Sequence, residues 1–260
     1  MIDIINAQKI YREYASNYNI DIPRIRLKYD HILRVMENSK FIARELNLTE
    51  EEVNLAMLIG LFHDIGRFEQ VRLYDTFSDK DTGLDHAAYS VKVLYEDGLI
   101  DKFIDTHEYD NIIKKAVFYH NKKVIGEEVV DEKELLFCKI IRDADKLDIF
   151  RVINEEKMEA VFWYKDFSNL ETNPKLMEDF KALKLIDYKD IKNNADQIYT
   201  FYNYVLDFNF DASLKIIKEK KYLETFTKRI EDTFNDEKIT KNTNEILSIC
   251  NSYIESKINK

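Results

Sequence analysis

Apolar positions recur every three to four residues along most of this chain, the spacing of helices with one buried face. Over 24–46, Leu27, His31, Val35, Ile42 and Leu46 follow that spacing. Thr49 with Glu52 three residues on is a capping-box pattern, which opens the next helix. The core of that helix, AMLIGLF at 56–62, is apolar all round, so it is expected at the centre of the fold, and it runs straight into His63 and Asp64. Further helices are expected at 85–97, 109–120 and 132–156, the last opened by Asp131 with Glu134 three residues later. The stretch 65–84 reads as a loop. Beyond 157, helical patterns lie near 175–183, 188–207, 212–222 and 238–257.

Composition sharpens this into an all-α expectation. Five glycines and two prolines in 260 residues are too few for the tight turns of a sheet-rich fold. All five glycines fall between 60 and 126, so irregular backbone is expected there, whereas the chain from 157 onward has neither glycine nor histidine. The expected organisation is a main helical domain over 1–156 and a helical extension over 157–260, with a soft boundary. A homodimer is one arrangement the extension could build.

Charge and cysteine content narrow the class. A net charge of −10 disfavours generic nucleic-acid binding, which needs lysine and arginine against phosphates. The basic run KIIKEKK at 215–221 is read as an exposed helix face. Two cysteines give no disulfide framework, no run reaches the roughly 20 apolar residues of a membrane span, and the first residues carry charges where a leader would be apolar. The expected location is cytoplasmic, with no membrane partner.

Candidate chemistry lies in the histidines and in DADKLD at 143–148. His31, His63, His86 and His120 sit in or beside apolar helical segments, where an unpaired imidazole is costly, so each needs a partner. Asp143 and Asp145 are two apart on a helix and point in nearly opposite directions. Asp145 shares a stripe with Cys138, Ile141, Ile149 and Val152, so it is expected to be the one buried acid. A buried acid must be neutralised, hydrogen-bonded or metal-bound; one alternative is an ion pair with a cation such as Arg34. Imidazole and carboxylate donors suit divalent manganese, iron, nickel, zinc or magnesium. His107, in a polar segment, is expected on the surface.

The segments KYDHILRV (28–35), LIGLFHDIGRFEQ (58–70) and KIIRDADKLD (139–148), in the order His, His-Asp, Asp, resemble the HD-domain metal-dependent phosphohydrolase superfamily. The resemblance implies an HD-type helical bundle over about 25–155, with His31, His63, Asp64 and Asp145 as metal ligands. GLDHAAYSVKVL (83–94) and KAVFYHN (115–121) resemble the segments that supply His86 and His120 to a second ion in binuclear members, so one or two divalent ions per chain are implied. Asn121 departs from the pattern of many binuclear relatives. Arg67, three residues after the His-Asp pair, stands where relatives carry lysine or arginine and suits a phosphate oxygen. Lys28 and Lys146 are further substrate-binding candidates.

The implied reaction is hydrolysis of a small phosphomonoester or phosphodiester, a nucleotide above all, by attack of metal-held hydroxide, with Asp64 and Arg67 in catalytic roles. Two alternatives share the ligand set: a di-iron oxygenase resembling inositol oxygenase, and a non-catalytic regulatory module that the metal only stabilises. No P-loop and no GxSxG elbow supports a different chemistry.

Overall fold

The long apolar patterns form helices in the computed structural model, which describes residues 2–162 and 164–259, and no strand occurs among them. The chain divides into two compact units, residues 1–148 and 149–260. The sequence pattern places a soft boundary at 156/157. No helix among the described residues is long and apolar enough to cross a membrane.

The first unit runs through α1 (Ile4–Ala15), α2 (Pro23–Glu45), α3 (Glu50–Phe62), α4 (Arg67–Tyr74), α5 (Asp79–Thr82), α6 (His86–Tyr95), α7 (Ile100–Phe103), α8 (Asp110–Tyr119) and into α9 (Glu132–Glu155). Pro23 at the first position of α2 suits a helix start, where a missing N–H removes no bond. The capping box at Thr49 forms as expected: its hydroxyl accepts from the Glu52 N–H, and the Glu52 carboxylate accepts from the Thr49 N–H. Every residue of α3 from Leu55 to Phe62 is buried, so this helix is the centre of the unit.

Helix α2 packs closely along α3, and Gly60 is what permits it. A Cβ at position 60 would lie 2.7 Å from the Met36 Cα, well inside contact distance. Gly66 plays the same part further on, since a Cβ there would lie 2.9 Å from the Ser90 N; its own N–H donates to the Ser90 hydroxyl at 3.0 Å. These two contacts bring the end of α3 against the interior of α2 and the start of α4 against the interior of α6.

Two expectations need correction. The stretch 65–84 is not simply a loop, for α4 and α5 lie in it; Phe68, Gln70 and Val71 bury one side of a helix too short for its period to stand out. Asp143, not Asp145, is the fully buried acid of the pair, while Asp145 is only half-buried. The stripe argument presumes a helix with one buried side, whereas α9 buries Phe137, Ile140, Ile141, Ala144, Leu147 and Asp148 around its circumference.

The second unit continues with α10 (Met158–Val161), α11 (Pro174–Lys181), α12 (Asn194–Asn203), α13 (Asp211–Glu219), α14 (Tyr222–Phe234) and α15 (Glu237–Ile258). Of the expected helix 188–207 only the middle is α-helical, flanked by single 3₁₀ turns. Helices α1 and α14 are not among those expected. All ten residues of α12 are buried, and its polar side chains brace the connections around it. Asp196 accepts from the N–H groups of Asn173 and Lys192, Asn194 donates to the carbonyls of Tyr164 and Asp166, and Asn203 both accepts from the Ile186 N–H and donates to the Lys184 carbonyl. Buried loop backbone is thereby satisfied without glycine-rich turns. The run 215–221 is exposed at its lysines.

Candidate metal centre

Six side chains from five helices and their ends meet inside the first unit. His31 comes from the middle of α2, His63 and Asp64 from the end of α3, His86 from the first position of α6, His120 from the end of α8 and Asp145 from α9. Two pairs of imidazoles result. The Nε2 atoms of His31 and His63 are 3.2 Å apart, and those of His86 and His120 are 3.1 Å apart.

Asp64 stands between the pairs. Its Oδ2 lies 3.6 Å from His31 Nε2 and 3.7 Å from His63 Nε2, while its Oδ1 lies 3.5 Å from His86 Nε2 and 3.7 Å from His120 Nε2. Asp145 Oδ1 adds to the first pair at 3.3 Å from His31 and 3.9 Å from His63. The donor atoms of His31, His63 and Asp64, of Asp64, His86 and His120, and of His63, His120 and Asp145 each fall within 4.8 Å of one another.

The outward nitrogen of every ring is already committed, and position in the helix decides to what. His63 and His120 follow the last turns of α3 and α8, where backbone carbonyls have no intrahelical partner. Their Nδ1–H groups donate to the carbonyls of Gly60 at 2.8 Å and Val117 at 2.7 Å. His31 sits mid-helix, where neighbouring carbonyls are spent, and donates instead to Asp148 Oδ2 at 2.7 Å. His86 opens its helix, with no preceding helical turn to lean on, and donates to Asp79 Oδ2 at 2.5 Å. With the proton on Nδ1, a neutral imidazole presents a bare lone pair on Nε2.

Four lone pairs therefore converge on two carboxylates in a buried space. Burial holds His63 neutral, its pKa lowered to about 3, and lowers that of His86 as well. His31 is the exception: burial and Lys28 oppose its protonation, but Asp145 and Asp148 outweigh them and raise its pKa. Burial also opposes ionisation of Asp64 and Asp145, yet both stay well below the usual carboxylate range, Asp64 through the cations Lys28 and Arg67, and Asp145 through His31. Asp64 Oδ1 has no hydrogen-bond partner among the described residues, although it is buried. An orphaned carboxylate oxygen between facing imidazole lone pairs is a donor set that fits divalent cations.

Cations border the cluster. Lys28, one turn before His31, donates to Asp64 Oδ2 at 2.7 Å. Arg67 Nε lies 3.4 Å from Asp64 Oδ1, while its Nη1 donates to Gln70 Oε1, the Phe77 carbonyl and Asp79 Oδ1 at 2.6–2.8 Å. Lys146 is buried and donates to the Arg142 carbonyl one turn earlier. Arg142 itself reaches the carbonyls of Tyr119 and Lys122, bracing the turn that carries His120. Asn121 donates to Asp85 beside His86, and His107 is exposed.

Arg34 pairs with Asp148, Nε to Oδ1 at 2.6 Å, rather than with Asp145. The two anchoring carboxylates, Asp148 and Asp79, are the site residues that sequence reasoning missed. Asp148 lies one turn beyond Asp145 in DADKLD, a spacing that could have pointed to it. Nothing local marks Asp79.

Residues 29–149 match the family described as HD domain. Neither the curated proteins nor the solved structures include a significant match to the chain.

Proposed function

Residues 29–149 form an HD domain, and on that premise we propose that the protein is a metal-dependent phosphohydrolase holding two divalent ions and acting on a nucleotide or a related small phosphoester. The observation that carries this reading is Asp64, whose two oxygens face two separate histidine pairs. His31, His63, Asp145 and Asp64 Oδ2 would hold one ion, and His86, His120 and Asp64 Oδ1 the other. Divalent ions in such a site lower the pKa of water toward neutrality and offset charge on phosphoryl oxygens.

The chain's own groups supply binding and orientation. Asp145 keeps 22% of its side chain exposed, more than any other member of the cluster, and marks the side open to solvent. Lys28 rests its ammonium on Asp64 Oδ2 at the border of the cluster, where it would also reach a phosphoryl oxygen. Arg67 is tethered through Nη1, which leaves its Nε and Nη2 edge for the same group. The half-buried Phe77 ring lies 5.4 Å from the Lys28 ammonium and 5.8 Å from the Arg67 guanidinium, an aromatic face beside the phosphate position that favours a nucleoside phosphate over a bare sugar phosphate.

The test is phosphate release by purified protein with manganese, iron, nickel or magnesium, against p-nitrophenyl phosphate, bis-p-nitrophenyl phosphate and nucleoside monophosphates, run beside oxygen uptake in the iron-loaded form. Metal-dependent release from one of these supports the proposal. Oxygen consumption without hydrolysis would move the protein to the oxygenase reading, and neither activity would leave a metal-stabilised binding module.

A further inference from the structure

We infer that Asp79 is a positioning residue that joins His86 and Arg67 into one unit, so that the segment 75–85 governs metal affinity at the His86/His120 pair. The inference rests on the two-ion reading above. One carboxylate takes four donors here. Its Oδ2 accepts from His86 Nδ1 at 2.5 Å and from the His86 backbone N–H at 3.2 Å, while its Oδ1 accepts from Arg67 Nη1 at 2.8 Å and Gln70 Nε2 at 3.0 Å.

The need for this residue follows from where His86 sits. His63 and His120 are anchored by carbonyls three residues earlier in their own chains, contacts that come with the ends of α3 and α8. His86 begins α6, whose N-cap is Asp85, so no carbonyl of a preceding turn faces its ring. Its orientation must come from elsewhere, and Asp79, held at the start of α5 with Ser78 as N-cap, provides it. The Arg67 guanidinium offsets the Asp79 charge, so this carboxylate orients the imidazole without adding net charge to the cluster.

Both carboxylate oxygens are required. Asparagine offers one acceptor oxygen and an amide that donates, so Asp79→Asn must turn its N–H₂ toward either His86 Nδ1–H or Arg67 Nη1. The Arg67 cation and the Gln70 amide N–H hold the oxygen on their side, so the N–H₂ faces His86, which moves its proton to Nε2 and loses the lone pair that faces the cluster. Asp79→Glu keeps both acceptors.

The experiment titrates metal-free wild type, Asp79→Asn and Asp79→Glu with manganese, with circular dichroism to confirm helical content, and records long-range ¹H–¹⁵N spectra of the histidine rings without metal. The His86/His120 pair has three protein donors against four at the His31/His63 pair, so it is the weaker manganese equivalent, and in Asp79→Asn it should lose about 10–100-fold in affinity, as for other groups that orient a ligand, with the tighter one within about twofold of wild type. His86 should be the Nδ1–H tautomer in wild type and Asp79→Glu, and shift toward Nε2–H in Asp79→Asn. Unchanged affinity at both equivalents, an equal loss at both, or an unchanged His86 tautomer would each overturn the inference. If the wild type takes up one equivalent only, the two-ion reading fails, and the His86 tautomer alone decides the role of Asp79.

Discussion

His31 and His63 face each other with Nε2 atoms 3.2 Å apart and both Nδ1–H groups turned away, one onto Asp148 and the other onto the Gly60 carbonyl. Two neutral rings so arranged have no proton between them. The contact becomes favourable when a cation sits against both lone pairs, or when His31 takes a proton. Asp148 selects this arrangement for His31 from 117 residues away, with Arg34 holding the carboxylate in turn. Asp148→Asn should lower affinity for the tighter ion by about 10–100-fold, measured by competition with a chelating dye, and leave the fold intact.

Ligand substitutions should separate from substrate-site substitutions. Asp64→Ala removes the oxygens facing both histidine pairs, so metal content by elemental analysis should fall at both positions and phosphoester hydrolysis should disappear. His63→Ala should lose the first ion only.

Lys28→Met and Arg67→Ala should retain metal, because neither cation has a lone pair to give. Loss of the charged hydrogen bond is expected to raise KM about tenfold or more in Lys28→Met, since such bonds are worth about 1.5–3 kcal/mol. Steady-state kinetics at saturating manganese checks this, and an unchanged KM in both variants would remove them from the substrate site.

Metal affinity should fall as pH is lowered, with His31 as the first competitor. Its pKa lies above the ordinary value of 6.5, whereas His63, lowered to about 3, offers no competition until far more acid conditions. Below the His31 pKa the affinity should drop by about tenfold per pH unit, the slope for one displaced proton. The metal-free protein should show the opposite trend. A raised folded-state pKa gives stability that is fully present below the unfolded value and lost as pH rises through the folded value. Thermal melts with manganese and with a chelator, across the neutral range, should therefore diverge as pH rises.

Gly60→Ala tests the approach of α2 to α3. The added methyl would stand 2.7 Å from the Met36 Cα and 3.0 Å from its N, backbone atoms that cannot rotate away. A loss of about 1–3 kcal/mol in stability is expected from overpacking, read from denaturant melts. His31 and His63 lie on or at the end of these same two helices, within about five residues of the contact, so affinity for the tighter ion should weaken as well. Thr49→Ala, at the exposed end of α3, serves as control: loss of the cap should cost about 1 kcal/mol with metal binding unchanged.

What the chain determined by itself is local. Helical periodicity, scarce glycine and capping residues at Thr49, Asp85 and Asp131 specify helices through contacts within a few residues, and α2, α3, α6, α8 and α9 fall where the pattern placed them. Histidines set in apolar segments, together with the HDIGRFEQ and DADKLD motifs, singled out the six side chains that the fold brings together. Short or one-turn elements such as α4 and α5 escaped because their period is too brief to register. Burial of Asp143 escaped because a stripe on one helix says nothing about what covers its other side. The division of the six donors into two pairs with Asp64 between them, and the anchoring of His31 by Asp148 and of His86 by Asp79, were decided only by tertiary structure. A hydrogen bond between residues 117 positions apart depends on which helices pack together, and the close approach of α2 to α3 at Gly60 is likewise a property of two surfaces, not of either segment alone.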